Sequence, residues 1–253
     1  MNICVVFLCN KNYLNKFIKS YNELITNGNY KGDVLLIIGD DLTENEIKKL
    51  NLNIYIKKFP NIIFPNEIEK QMESVRKLYD DRAIKKKFQW HKLHLFNIYL
   101  KKWEYILYLD CGINIYSDIS KIINEKEKNR LVAHSDTYPT YIKKLKDQFD
   151  VNKDLFNKLN NTFNLNVDHF QTTIMLYDTD IIKENTFTKL YELAKIIPIS
   201  LTNEQAIMSL YFILIKPKWK KLNVEKKENE ILYDLVVRNK NKNKNHILLK
   251  YKL

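Results

Sequence analysis

The sequence alternates short apolar runs with segments of helical periodicity. The first run, residues 2–9 (NICVVFLC), is rich in β-branched and aromatic residues, which is typical of a strand covered on both faces. Residues 14–25 then place apolar side chains at helical spacing. Further strands are predicted at 32–41 and 53–59, separated by a short helix at about 44–50. This alternation predicts an α/β fold with a mostly parallel sheet flanked by helices.

The alternation continues in the rest of the chain. A helical pattern at residues 88–103 leads into another apolar run, after which strands are predicted at 130–136 and 169–179 and helices at 185–197 and 203–214. The 253 residues are 45% hydrophobic and contain no internal repeat. A single domain with a substantial core is therefore expected.

One strand ends on a carboxylate. Residues 103–110 (WEYILYLD) finish at Asp110, and the small residues Cys111 and Gly112 follow. In an open α/β sheet, ligands bind outside the carboxyl ends of the strands. Asp110 is therefore predicted to stand at the mouth of a ligand site.

The formal net charge of +12 is unevenly distributed. From residue 216 onward, 12 Lys or Arg residues face only 4 Asp or Glu residues. A basic patch of this kind attracts nucleic acid, an anionic membrane surface or a phosphorylated small molecule. A solvated basic tail explains the same composition, so charge alone leaves these alternatives open.

The three cysteines, Cys4, Cys9 and Cys111, form no CxxC motif and no Cys/His cluster. A structural disulfide or a zinc site is therefore not expected. No basic leader precedes the first apolar run, and no apolar stretch reaches the ~20 residues needed to cross a bilayer. These features predict a cytoplasmic protein without a transmembrane segment.

Five segments carry a further pattern: LCNKNY, HKLHLFNIYLKKWEYILYLDCG, HFQTTIMLYDT, TNEQAIMSLYF and NHILLKYKL. In this order they resemble the glycogenin-type glycosyltransferases, which are retaining enzymes of the GT-A fold. The resemblance spans nearly the whole length. It implies one GT-A-type, Rossmann-like domain over 1–253, with a nucleotide-binding half at 1–118 and a sugar and acceptor half, ending in a basic tail, at 119–253.

The resemblance also implies a reaction and its partners. A sugar would pass from a nucleotide-diphosphate-sugar donor, UDP-linked, to a hydroxyl of a glycan or protein acceptor, with retention of the anomeric configuration. A homodimer is compatible with this function, and no specific nucleic-acid partner is expected.

In the family, the loop after the first strand contacts the base and ribose, and these positions correspond to Cys9, Asn10 and Tyr13. A lysine ahead of the acidic corner approaches the donor diphosphate, which implies the same role for Lys92. Both assignments have simpler alternatives. A tyrosine at the head of a helix often only packs against its neighbours. In a chain with 42 Lys and Arg residues, a single lysine such as Lys92 is often only a surface charge.

The acidic corner departs from the family pattern. The family has two aspartates one residue apart, whereas this chain has Asp110, Cys111 and Gly112. Three hypotheses stay open. In the first, Asp110 and a late histidine hold Mn²⁺ or Mg²⁺, which bridges the diphosphate. In the second, lysines, among them Lys92, Lys250 and Lys252, neutralise the diphosphate without a metal. In the third, the site is catalytically impaired.

The late histidine is His246. The family places a histidine six residues before a donor-binding lysine, and His246 precedes Lys252 by this interval. The resemblance therefore implies His246 as a metal ligand beside Asp110, and Lys252 as a donor-binding residue. The family's intervening glycine and its following Pro-Trp are both missing here.

Two more segments correspond to the sugar side. Glu204 and Gln205 match a family Asp-Gln helix start, which implies catalytic roles beneath the sugar. A carboxylate in the first turn of a helix is also explained by the helix dipole alone. The resemblance places the following residues along the sugar and acceptor: Asp136, Tyr138, Gln171, Thr172 and Thr173.

Two rival classes remain. The first is a basic binding protein without catalysis, either a degenerate transferase fold or a nucleic-acid binder that stacks bases on aromatics among its lysines, as in KPKWKK. The second is a nucleotidyltransferase, although the first strand is not followed by the glycine-rich loop that such enzymes carry.

Overall fold

A seven-stranded sheet forms the centre of the molecule, and a four-stranded sheet lies beside it. The computed structural model describes residues 2–77, 87–136, 143–227, 229–236 and 244–251. The strands are β1 (Ile3–Cys9), β2 (Asp33–Ile38), β3 (Tyr55–Lys58), β4 (Tyr105–Leu109), β5 (Asn114–Ile115), β6 (Leu131–Ser135), β7 (Phe170–Asp178), β8 (Trp219–Lys221), β9 (Glu225–Lys227), β10 (Glu230–Val236) and β11 (Asn245–Tyr251).

The large sheet has the strand order β3-β2-β1-β4-β7-β6-β8. The four strands from β3 to β4 run parallel, β7 is antiparallel to both of its neighbours, and β8 is parallel to β6. The predicted mostly parallel α/β sheet flanked by helices is thus confirmed. The order β3-β2-β1-β4 turns around at β1, so the carboxyl ends of β1 and β4 lie side by side at a position where such sheets bind ligands.

Helices cover both faces of this sheet. The α-helices are Leu14–Thr26, Glu44–Lys48, Asn66–Lys77, Ser120–Ile123, Asp154–Thr162, Thr186–Ile196 and Glu204–Leu210. Shorter 3₁₀ helices lie at Lys11–Tyr13, Leu145–Gln148 and Thr179–Ile181, and a π-helical turn follows at Tyr211–Ile215. Strand β1 has no polar side chain, because alternate residues pack into two separate apolar cores, one on each face of the sheet.

The helical segment ahead of β4 differs from its prediction. Residues 88–103 carry an α-helical pattern, but the structure has two 3₁₀ helices there, Lys87–Phe96 and Ile98–Lys102. They are separated by Asn97, whose backbone is extended and whose side chain accepts a hydrogen bond from the N–H of Tyr99 at 3.0 Å. Asparagine competes with helical hydrogen bonding in this way, which explains the break.

The predicted basic tail forms strands where the structure describes it. Strand β11 pairs in parallel with β10 and antiparallel with β5, which comes directly after the Asp110 corner. The large apolar residues Tyr233 and Leu248 are fully buried between this small sheet and the main domain. No helix in the described part of the chain is both long enough and apolar enough to cross a membrane.

Candidate active site

The carboxyl end of β4 forms a tight corner. After Asp110 the chain turns through Gly112, whose φ of +82° lies in the left-handed region. The Gly112 N–H donates to Ser20 Oγ at 3.0 Å. A Cβ at Gly112 would lie 3.2 Å from Cδ of Lys16, so the stem of this lysine covers the glycine. The corner therefore presents one carboxylate, and a lysine lies over the second family position.

The backbone of this corner leads to a prediction. The Gly112→Ala variant is expected to lower the free energy of unfolding by about 1–2 kcal/mol, because an alanine is strained at positive φ. Gly112→Asn is the matched control, since asparagine tolerates this region better and should cost less. Urea denaturation of the three proteins measures both effects, and an equal loss for alanine and asparagine would contradict backbone strain as the cause.

Lys92 lies at the centre of the site. Its Nζ is 2.9 Å from Asp110 Oδ1 and 3.3 Å from Glu204 Oε1, and it donates to the Thr172 carbonyl and hydroxyl oxygens at 3.2 Å. The side chain is only 8% exposed. Burial acts to lower the pKa of Lys92, but the carboxylates of Asp110 and Glu204 outweigh it and raise this pKa above its usual value. Lys92 therefore stays charged.

Asp110 is held from several sides. Its Oδ1 accepts a hydrogen bond from the Tyr108 hydroxyl at 2.6 Å, and its Oδ2 lies 3.4 Å from Nζ of Lys250. Burial acts to raise the pKa of Asp110, but Lys92 and Lys250 outweigh burial and lower it. Both carboxylate oxygens of Asp110 are thus paired with ammonium groups.

Lys250 reaches the corner from the end of the chain. Its Nζ also donates to the Cys111 carbonyl at 2.9 Å, and its side chain is 10% exposed. Burial lowers the pKa of Lys250, and the neighbouring charge of Lys92 acts in the same direction, while Asp110 opposes both. The side chain is positioned by β11, whose pairing with β5 places residue 250 next to the corner.

Glu204 lies behind Lys92. It is 2% exposed, it accepts a hydrogen bond from the Thr172 hydroxyl at 2.9 Å, and its Oε2 is buried without a hydrogen-bond partner among the described residues. Burial raises the pKa of Glu204, although Lys92 opposes this. The preceding residue, Asn203, has a φ of 53° and a ψ of −125°, a strained conformation for a residue with a side chain. Asn203 stands at the N-cap of the helix Glu204–Leu210 and makes no side-chain capping bond.

A polar cluster extends away from Glu204. Gln205 accepts a hydrogen bond from the Thr172 N–H at 3.3 Å and donates to the side chain of Gln148 at 3.2 Å. Gln171 donates to Asp136, which also pairs with His169 at 3.0 Å.

Thr173 connects this cluster to the second sheet. Its hydroxyl lies 2.8 Å from the Tyr233 hydroxyl, and its carbonyl accepts a hydrogen bond from the Asp110 N–H at 2.9 Å. The structure therefore brings Asp136, Gln171, Thr173 and Gln205 together on the side of Asp110 that lies toward β7.

A cavity of about 450 Å³ opens beside these residues. Its lining contains the apolar residues Leu8 and Phe88. The other lining residues are Asn10, Asn12, Tyr13, Lys16, Lys19, Gln89, Lys92, Tyr108, Asp110, Cys111, Gly112 and Lys250. Cys9 is predicted to contact the donor, but its side chain is fully buried and its Sγ donates to the Asn10 carbonyl at 3.1 Å. Oδ1 of Asn10 is buried without a partner among the described residues, so the site offers an unused acceptor.

The predicted metal ligands do not come together. His246 lies 3.5 Å from Asp234 and belongs to the second sheet, four residues before Lys250 on β11, which is a separation of roughly 13 Å along a strand. Gly112 supplies no side-chain ligand, and no three His, Cys, Asp or Glu side chains of the described residues form a group that could hold a metal ion. Within the described part of the chain, the side chains at this corner do not fit a divalent cation of the kind the family pattern implies. Lys252 and Tyr138 lie outside the described residues.

A cavity at the carboxyl ends of β1 and β4, on a mostly parallel α/β sheet, lies where an open α/β sheet of this type binds its ligand. The model of the family described as glycosyl transferase family 8 matches residues 4–250. The chain belongs to this family and is a glycosyltransferase. This finding decides for the transferase class over the nucleotidyltransferase and the nucleic-acid binder.

Solved structures show the same fold at low sequence identity. The galactosyltransferase LgtC, solved in complex with donor and acceptor sugar analogs, is 11% identical with a TM-score of 0.60, covering 98% of this chain and 86% of LgtC. Core-mannan synthase A from Aspergillus fumigatus, in its Mn/GDP form, is 11% identical with a TM-score of 0.56, covering 88% and 73%.

The glycosyltransferase GlyE of Streptococcus pneumoniae TIGR4 is 12% identical with a TM-score of 0.54 over 88% of this chain. The match covers 45% of GlyE, so the chain spans about half the length of that enzyme. The search of curated proteins finds no match.

The sequence patterns do not predict two site features: Lys16 covers Gly112, and His169 holds Asp136. Lys250 is predicted among the lysines that neutralise the diphosphate, and its Nζ lies 3.4 Å from Asp110. No signal points to Lys16, because it occupies an ordinary exposed helix position.

Proposed function

We propose that this glycosyltransferase takes a sugar from a nucleotide-diphosphate donor, UDP-linked, and transfers it to a hydroxyl of a glycan or protein with retention of the anomeric configuration. The observation that carries the proposal is the cavity beside Asp110, where nucleotide-side residues and charged phosphate-side residues meet. The family membership supports the reaction class.

The nucleotide end of the cavity is the loop after β1. Tyr13 is 37% exposed and lines the cavity, where its ring can stack on a base, and the buried Oδ1 of Asn10 can accept a hydrogen bond from the base or the ribose. The role of Cys9 in the proposal is to hold this loop through its bond to the Asn10 carbonyl, because its side chain does not reach the cavity.

The diphosphate end lies at Lys92 and Lys250. When the bond between the sugar and the diphosphate breaks, negative charge develops on the leaving phosphate. The two ammonium groups are already placed at Asp110, so they stabilise this charge without rearranging. Glu204 acts as a positioning residue in the proposal, because it contacts Lys92 and Thr172 and does not line the cavity.

The sugar and acceptor side is assigned to the polar cluster at β7. Asp136 is 23% exposed and is fixed by His169 and Gln171, so its carboxylate can orient sugar hydroxyls. Gln205 lies next to Thr172 at the start of helix Glu204–Leu210 and supplies an amide at the same place. Thr172 supports the cluster from within, because its hydroxyl is committed to Glu204 and Lys92.

The test combines a donor panel with a tyrosine pair. UDP-sugars and GDP-sugars are titrated by calorimetry and assayed for transfer or hydrolysis, and the anomer formed is read by NMR. A UDP-sugar is expected to bind most tightly, and Tyr13→Ala should weaken it about tenfold through lost stacking. Tyr116 is 44% exposed outside the cavity lining, so Tyr116→Ala is the control and should change nothing. Equal losses for the two variants, or an inverted product, would contradict the proposal.

A further inference from the structure

We propose that Lys250 and Lys92, with Lys16 above Gly112, neutralise the donor diphosphate in place of a divalent cation, so that donor binding in this protein does not depend on metal. This inference rests on the proposed function, since it concerns how the same cavity holds the donor. It follows from the mismatch between the residues at the corner and a metal site.

The first observation concerns the second carboxylate position. Gly112 has no side chain, and the Lys16 stem lies 3.2 Å from where a Cβ would stand. Lys16 Nζ also lies 4.9 Å from the centre of the Tyr13 ring, so this side chain stretches across the mouth of the cavity. A cationic side chain therefore covers the position where the family has an anionic ligand.

The second observation concerns the remaining carboxylate. The two oxygens of Asp110 face Lys92 at 2.9 Å and Lys250 at 3.4 Å. A cation bound to Asp110 would meet two positive charges within a few ångströms, with little water to screen them, because both lysine side chains are at most 10% exposed. Asp110 is thus suited to fixing two lysines and unsuited to binding a dication.

The third observation is the charge of the cavity lining. It contains four lysines, Lys16, Lys19, Lys92 and Lys250, and one carboxylate, Asp110. Lys19 is engaged with Asn114 and Glu23 at the rim. The positive charges of the other three lysines complement the two negative charges of a diphosphate. In other enzymes a bridging metal cation has this role.

The experiment is calorimetric titration of the full chain with UDP and with GDP, in EDTA and in Mn²⁺. The dissociation constant of the nucleotide that binds is expected to change by less than about threefold between the two buffers. Lys250→Met should weaken binding about tenfold or more, because a charge-assisted contact to phosphate is lost. Lys250→Arg should retain binding, and Lys189→Met, at an exposed helix position, is the matched control that should behave as wild type.

Two further arms sharpen the test. Uridine, which has no phosphate, should bind Lys250→Met and wild type equally, because the lost contact is to the diphosphate. Gly112→Asp restores the second carboxylate, yet it is expected to show no Mn²⁺-dependent gain in affinity while Lys16 and Lys250 stay in place.

The outcomes separate this inference from the proposed function. Loss of UDP and GDP binding in EDTA, with recovery in Mn²⁺, would overturn the metal-independent site and leave the donor site intact. Mn²⁺-dependent tightening in Gly112→Asp would likewise show that a cation fits at the corner. If neither nucleotide binds in either buffer, the proposed donor site fails, and this inference fails with it.

Discussion

Replacing Lys92 with methionine is expected to lower the free energy of unfolding by about 3–5 kcal/mol and to abolish measurable sugar transfer. Methionine fills a similar volume but leaves the buried carboxylates of Asp110 and Glu204 without their common partner, and uncompensated buried charge is costly. Transfer is lost because the same ammonium group faces the leaving diphosphate in the proposed mechanism. Urea denaturation and a transfer assay measure the two effects.

A second variant separates stability from catalysis. In the double variant Lys92→Met/Glu204→Gln, the carboxylate that pairs with Lys92 alone among the described residues is removed, so part of the lost stability should return while activity stays absent. Lys189→Met is the surface control and should match wild type in both assays. If Lys92→Met is as stable as wild type, the buried ion pairs of Lys92 do not contribute to the free energy of unfolding.

Acidification from pH 7 to 4.5 is expected to destabilise the protein strongly. Burial is the main cause that lowers the pKa of His91 to about 3, and those of His94 and His134 to about 4, from a usual 6.5. The unfolded chain therefore binds three protons near pH 6.5 that the folded chain does not take up until pH 3–4. The contribution of these three histidines to stability is fully present well above pH 6.5 and is lost below it, by on the order of 2 kcal/mol for each histidine at pH 4.5.

His94 offers a control for this effect. Its ring is stacked between Phe59 at 4.5 Å and Phe187 at 4.7 Å, so His94→Phe can keep the aromatic packing while it removes one titrating group. The variant loses the bond to the Pro60 carbonyl and should be slightly less stable at pH 7. Its free energy of unfolding should nevertheless fall less steeply between pH 6.5 and 4.5. An unchanged slope would show that His94 does not titrate in this range.

The strand-end carboxylate could be predicted from the sequence because local order places it. Asp110 ends an apolar strand, so chain order puts it at the carboxyl edge of the sheet. Lys92 is predicted only through the resemblance to the family. Cys9 is predicted to contact the donor, but it is the last residue of β1 and its side chain is buried, which the sequence does not show.

The remaining features depend on long-range packing. The 3₁₀ form of Lys87–Phe96 is not visible in a pattern that fits an α-helix equally well. The second sheet is built largely from the C-terminal region, whose lysine-rich composition suggests a solvated tail. An interval along the chain predicts His246 and Lys252 at the site, whereas the register of β11 turns His246 toward Asp234 and brings Lys250 to the corner.

The contact between Lys250 and Cys111 joins residues that are 139 positions apart in the sequence. The strand that makes it, β11, is attached to the main body through the two-residue strand β5 and the flanking strand β10. A local opening of this small sheet would withdraw one ammonium group from the cavity while the seven-stranded sheet stays folded. The competence of the site is thus thermodynamically linked to the local stability of the small sheet, and a ligand that engages Lys250 would in turn stabilise the folded state of this sheet.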